Sequence, residues 1–208
     1  MEFYLACIFA YLLGSIPSAV LVGKAFFGVD VREHGSLNAG ATNTFRVLGK
    51  QAGTGVLLMD IIKGATAANL VLLMSQDSLE WTTMTYKIVF GVLAVIGHIY
   101  PVFAGFKGGK GIATLLGLVF ALDPVMALLC VVIFLVVLLS TNIVSAGSII
   151  ATLSFGVIAA LRHGEAEPVL QIFAIFAMIL VLYTHRANIG RIIKGEEKKI
   201  YLFGNNRK

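Results

Sequence analysis

Lys110 stands in a Gly108-Gly109-Lys110-Gly111 turn, within a polar hinge from Gly97 to Thr114 that separates two apolar stretches. Glycines without Cβ let a backbone turn tightly and aim amides at a bound group, and the lysine adds a positive charge where a phosphate can sit. It is not a nucleotide loop, because Ala104 stands where the first glycine of that motif belongs and Gly111 replaces its Ser or Thr. Taken alone, the turn reads equally as a basic loop placed by membrane topology. Three further islands carry anion chemistry. In Gly35-Ser36-Leu37-Asn38-Ala39-Gly40-Ala41-Thr42-Asn43 with Arg46, a short helix would set Thr42, Asn43 and Arg46 on one face, with Gly40 and Ala41 at its start. Ser145 and Ser148 lie in a hydroxyl-rich turn, Thr141 to Ser148. His185, Arg186 and Asn188 form a cluster suited to phosphate capture at a helix end, with Arg191 beyond.

The absences narrow the chemistry. No His is followed five residues later by Asp, and no acidic cluster offers a metal site, so neither metal nor cofactor is expected. With no evident side-chain base, an enzyme built on these residues needs a substrate that brings its own activation, such as an energy-rich phosphorylated donor.

Membrane spans position these islands. Apolar residues make up 58% of the 208 and charged residues 13%, the balance of an all-α integral membrane protein. Spans are expected at Phe3 to about Phe27, with a kink at Gly14-Ser15-Ile16-Pro17-Ser18, and at about Ala52 to Met74 and Lys87 to Phe103. The stretch after the hinge breaks at Asp123-Pro124 into a short span to Leu122 and a longer one from Val125. A span to about Leu161 and one from Pro168 to about Thr184 complete seven, some short or broken, before a basic tail from His185 to Lys208. Asp60 and Lys63, three residues apart in the second span, are expected to form a polar pair. Cys7 and Cys130 read as small apolar packers.

Seven spans put 13 of the 16 basic residues on one side, leaving Lys63 in the membrane and Lys87 and Arg162 opposite. This bias places the amino terminus outside, the carboxyl terminus in the cytoplasm, and all four islands at the cytoplasmic face of a single domain spanning 1–208. It also explains the net charge of +5 without nucleic acid. A small transporter of a phosphorylated metabolite is the alternative that the intramembrane charges and broken helices leave open, and a purely structural membrane subunit leaves the four islands unexplained.

The four islands, together with Gly14 to Ser18, resemble the bacterial acyl-phosphate:glycerol-3-phosphate acyltransferases over nearly the whole chain. The chain departs from that family in having Leu37 between Ser36 and Asn38, where glycine is frequent, and Ala146 where leucine is common. The resemblance implies seven helices in the bacterial cell membrane and transfer of an acyl group from acyl phosphate to the 1-hydroxyl of glycerol 3-phosphate. The product is lysophosphatidic acid, in the first step of phospholipid synthesis, with neither acyl-CoA nor acyl carrier protein as donor. It implies Arg46, Lys110 and His185 as catalytic residues that, with Ser36 and Asn188, hold the phosphate of glycerol 3-phosphate. Gly40, Ala41, Thr42, Asn43, Ser145 and Ser148 are implied at the donor phosphate, and Asn38, Gly108, Gly109 and Arg186 complete the binding set. The bilayer and coupling to an enzyme that makes acyl phosphate are the implied partners.

Overall fold

A computed structural model describes residues 1–75, 77 and 79–200; the last eight residues of the basic tail, with Arg207 and Lys208, lie outside the described residues. The helices are α1 (Glu2–Ser15), α2 (Ser18–Phe27), α3 (Ala41–Ala68), α4 (Thr83–Ile99), α5 (Ile112–Leu122), α6 (Pro124–Thr141), α7 (Val144–His163), α8 (Pro168–Thr184) and α9 (Arg186–Ile193). They fall into two compact units, Met1–Pro124 and Val125 onward, dividing at the Asp123-Pro124 break.

The punctuation in the sequence explains the element ends. Pro17 bends the α1–α2 pair by 43°. Gly49, with φ 87° and ψ −176°, interrupts α3, so residues 41–48 form the short helix expected around Thr42 and Arg46 before the span proper. α4 begins at Thr83 rather than Lys87, because Thr82 Oγ1 accepts the Thr85 amide as an N-cap, and it ends at Ile99, before Pro101. Asn142, with φ 60°, breaks the chain after α6, and α7 begins two residues later at Val144. Ser145 and Ser148 therefore lie in the first turns of α7 rather than in an open turn.

In the first unit α3 packs against α5, α4, α2 and α1, and α1 packs against α4. Gly64 and Gly117 allow α3 and α5 to approach closely, since a Cβ on Gly64 would overlap the Thr114 carbonyl and one on Gly117 the Ile61 carbonyl. In the second unit α7 packs on α8, with Phe155 and Phe173 edge to face at 5.6 Å, and α9 rests on both helices. Cys7 and Cys130 are free thiols.

Among the described residues four helical segments are long and apolar enough to cross a membrane: Ala41–Leu73, Thr83–Ala104, Pro124–Thr141 and Val144–His163. Counting the bent pairs α1–α2 and α8–α9 as one span each gives six. α5, with 11 residues, rises only about 16 Å, roughly half the hydrocarbon core.

Candidate functional site

The first island is folded by its own polar residues. Asp30 accepts from the Arg32 amide at 3.0 Å and from the guanidinium through Nε at 3.0 Å and Nη2 at 2.7 Å, with Lys24 at 3.2 Å. Hydrogen bonding from Arg32 holds the Asp30 carboxyl well below the usual carboxylate range, against the opposing effect of burial. Arg32 Nη1 also donates to the Ala104 carbonyl at 2.9 Å, which ties this island to the hinge. Asn43, 1% exposed, accepts from the Ser36 amide at 2.7 Å and donates to the carbonyls of Val31 at 2.7 Å and His34 at 3.0 Å. Both amide protons of Asn43 are thus committed to shaping the loop that carries Ser36, and it acts on a ligand through that loop.

Leu37, the departure from the family pattern, has φ 60° and is 66% exposed. A left-handed conformation costs a non-glycine residue about 1–2 kcal/mol, and little burial offsets it here. Leu37→Gly is expected to raise the thermal midpoint in detergent by the equivalent of about 1 kcal/mol, and an unchanged or lowered midpoint would contradict this strain.

Gly40 begins α3 with no side-chain cap, so the amides of Ala41 and Thr42 open the helix start; those of Asn43 and Thr44 turn back to the Gly40 carbonyl, both at 3.1 Å. Arg46 follows one turn later, half-buried. A Cβ on Gly40 would lie 2.9 Å from Asn38 Oδ1 and 4.0 Å from the Gly109 Cα. The helix start and the glycine turn are therefore neighbours.

That turn does not aim all its amides outward as the sequence suggests. Gly108 N–H donates to the Ile99 carbonyl at 3.2 Å and Gly109 N–H to the His98 carbonyl at 3.1 Å, satisfying the end of α4. What these glycines contribute is room: a Cβ on Gly108 would overlap the His98 carbonyl, and one on Gly109 would overlap the His98 ring. Past them, Lys110 is half-buried and Gly111, with φ 82°, begins α5 without a side-chain cap, a second helix start beside the first. Deeper in this unit Asp60 and Lys63 meet as expected, 2.9 Å apart and both buried.

In the second unit the other two islands meet on a carboxylate that sequence reasoning left outside the site. Glu197 Oε1 accepts from Ser145 Oγ at 2.8 Å and from Asn188 Nδ2 at 2.6 Å, and Arg191 Nε donates to Oε2 at 2.6 Å. Gly195, with φ 72°, turns the chain after α9, and Glu196 N–H donates to the Arg191 carbonyl at 2.8 Å, which swings Glu197 back. The available signal was a glycine followed by an acid just after a basic helix end. Burial raises the Glu197 pKa, but the hydrogen bonds from Asn188, Ser145 and Arg191 outweigh it, and the net direction is down.

His185, 3% exposed at the α8–α9 bend of 64°, has Nδ1 3.0 Å from the Val181 carbonyl oxygen. A carbonyl only accepts, so Nδ1 carries a proton and the ring is fixed in one orientation. Ser148 Oγ donates to the Val144 carbonyl at 3.1 Å. Arg186 is exposed and lies over the Tyr183 ring at 4.6 Å while donating to the Tyr183 carbonyl at 3.0 Å. Among the described residues no group of three or more His, Cys, Asp or Glu gathers as a metal would require. Two uncapped helix starts with Arg46 and Lys110 in one unit, and a hydroxyl, an amide and a guanidinium holding a carboxylate in the other, are arrangements for binding oxyanions.

Comparison with known proteins supports the same chemistry. The sequence profile of the family described as "Glycerol-3-phosphate acyltransferase" matches residues 4–195. A glycerol-3-phosphate acyltransferase of Bacillus cytotoxicus is 45% identical over 199 residues, covering 94% of this chain and 94% of its own. One from Chlorobium phaeobacteroides is 37% identical over 225 residues, covering 95% and 96%. The crystal structure of PlsY (YgiH), an integral membrane glycerol 3-phosphate acyltransferase, in its glycerol 3-phosphate form superposes with a TM-score of 0.86 at 39% identity, over 97% of this chain and 96% of that one. Its lysophosphatidic acid form gives a TM-score of 0.84. With the match running through every polar island and every helix that carries one, this chain belongs to the glycerol-3-phosphate acyltransferase family of integral membrane proteins.

Proposed function

We propose that this chain transfers a fatty acyl group from acyl phosphate to the 1-hydroxyl of glycerol 3-phosphate, releasing inorganic phosphate and lysophosphatidic acid. The observation that carries this reading is the pairing of two uncapped helix starts, at Gly40 and Gly111, with Arg46 and Lys110 in the same unit. Both substrates are phosphate esters or anhydrides, and bringing two anions together needs fixed positive charge and aligned amides more than it needs a base. The glycerol 3-phosphate form and the lysophosphatidic acid form of the related PlsY fit the acceptor and the product.

In this reading Ser36, Arg46, Lys110, His185 and Asn188 take the phosphate of glycerol 3-phosphate. Gly40, Ala41, Thr42, Ser145 and Ser148 take the donor phosphate, while Asn43 shapes the loop around it. Asn38, Gly108, Gly109 and Arg186 border the substrates. The acceptor oxygen attacks the acyl carbon, an ester bond forms, and the bond from acyl carbon to phosphate oxygen breaks. The departing phosphate accepts the hydroxyl proton, a step suited to a group whose second pKa is near 6. The chain acts as one transmembrane domain of seven helices in the bacterial cell membrane, with its amino terminus outside and its site facing the cytoplasm, where acyl phosphate and its producing enzyme are at hand.

The experiment is product formation by purified protein. Palmitoyl phosphate and labelled glycerol 3-phosphate, with a chelator present, are expected to give labelled lysophosphatidate. Product from palmitoyl-CoA alone would overturn the donor assignment. Uptake of label into sealed proteoliposomes without product would favour the transporter reading that broken helices and intramembrane charge otherwise suggest.

A further inference from the structure

A second polar cluster in the first unit, made of residues outside the proposed substrate-binding set, ends against the glycine turn. Asp60, Lys63 and His98 are 1%, 6% and 7% exposed, an arrangement that costs several kcal/mol in desolvation and that an apolar substitute would avoid. One Asp60 oxygen, Oδ1, accepts from Ser18 Oγ at 2.9 Å, pairs with Lys63 Nζ at 2.9 Å and lies 3.5 Å from His98 Nδ1. Lys63 Nζ also donates at 2.9 Å to the Ile16 carbonyl, beside the Pro17 break. A single carboxylate oxygen therefore gathers the start of α2, the middle of α3 and the end of α4.

His98 carries this order onward. Its Nδ1 faces a carboxylate oxygen, so that nitrogen bears the proton, and its Nε2 edge lies against Gly109, where any Cβ would overlap it. Its carbonyl receives the Gly109 amide at 3.1 Å. Packing alone explains a glycine at 109 but not a histidine at 98, since an aliphatic side chain would back the turn without needing a buried partner.

We propose that Asp60 and His98 are positioning residues: Asp60 orients the His98 ring, and the ring holds the Gly108-Gly109 backbone so that Lys110 is presented to a phosphorylated substrate. This rests on the reading of the turn as a phosphate site. An interaction that supports binding equally in the ground state and the transition state acts on KM and spares kcat. Removing His98 leaves Asp60 paired with Lys63 and Ser18, so the fold keeps its buried charge balanced.

The test is steady-state kinetics of the full chain in detergent, with thermal midpoints, for His98→Leu, His98→Asn, Asp60→Asn and Lys110→Ala. His98→Leu is expected to raise KM for glycerol 3-phosphate about tenfold, within the roughly 100-fold that an ångström of misplacement costs, with kcat and the midpoint close to the parent. His98→Asn, which places a donor near the Nδ1 position, is expected to recover much of that loss, and Asp60→Asn to raise KM as His98→Leu does but with a lowered midpoint, because Lys63 loses its buried counter-charge. His98→Leu with parental KM, beside a damaging Lys110→Ala, overturns the positioning role alone. His98→Leu and His98→Asn equally impaired with equally lowered midpoints overturns it in favour of a purely structural role. A silent Lys110→Ala overturns the phosphate-turn reading and the positioning role together.

Discussion

Lys110→Ala is expected to lower lysophosphatidate formation at subsaturating glycerol 3-phosphate by about a thousandfold, about 4 kcal/mol, within the range for truncating one partner of a hydrogen-bonded charge pair. The magnitude follows from where the lysine sits. It is half-buried between a backbone turn fixed by the end of α4 and the uncapped start of α5, where its ammonium is less screened than at an open surface. Lys110→Arg keeps the charge on a longer planar group and is expected to recover only part of the activity. A loss of tenfold or less for the alanine variant, measured at saturating acyl phosphate, would show that the turn borders the substrate without acting on it.

Glu197→Ala is the second large effect, and it falls on stability. Removing this carboxylate leaves Ser145, Asn188 and Arg191 without the acceptor they share, and breaking a buried, charge-assisted set of this kind costs about 3 kcal/mol, tempered here because the Arg191 side chain is 42% exposed. Glu197→Gln keeps one acceptor oxygen and is expected to lose less. The pH dependence has a definite sign. The Glu197 pKa is lowered in the folded chain, so its stabilisation is complete above the ordinary glutamate range, near 4.5, and fades as pH falls through the depressed folded value. Thermal midpoints taken downward from pH 6 should therefore fall more steeply in the parent than in Glu197→Gln. Parallel curves would mean that Glu197 is not held as an ionised acceptor.

The Glu197 contacts also show why one partner in the candidate site escaped sequence reasoning. Asn188 and Ser145 were legible as polar residues in polar islands, but their shared partner depends on the chain reversing at Gly195, and a positive-φ glycine does not announce where the next acid lands. The same holds for Asn43. Its spacing from Arg46 marks a helix face, yet its amide is spent on three loop groups that only the folded island brings together. The glycine turn was legible as a phosphate loop by composition, whereas the commitment of the Gly108 and Gly109 amides to α4 follows from the chain folding back across Pro101. Features set by local chemistry fared better: the breaks at Pro17 and Pro124, the short helix ahead of Gly49, the Asp60–Lys63 pair and the last long helix, from Pro168 to Thr184, are where the sequence puts them. Helix starts moved where a cap or a left-handed residue, Thr82 or Asn142, outweighed the apolar pattern.

Equilibrium binding of glycerol 3-phosphate to the purified chain, in the absence of any acyl donor and with a chelator present, tests most directly whether the cationic islands are the acceptor site. The account predicts saturable binding that Arg46→Ala and Lys110→Ala each weaken by at least about tenfold, the loss expected for one charge-assisted contact. Affinity that is unchanged in both variants would contradict it.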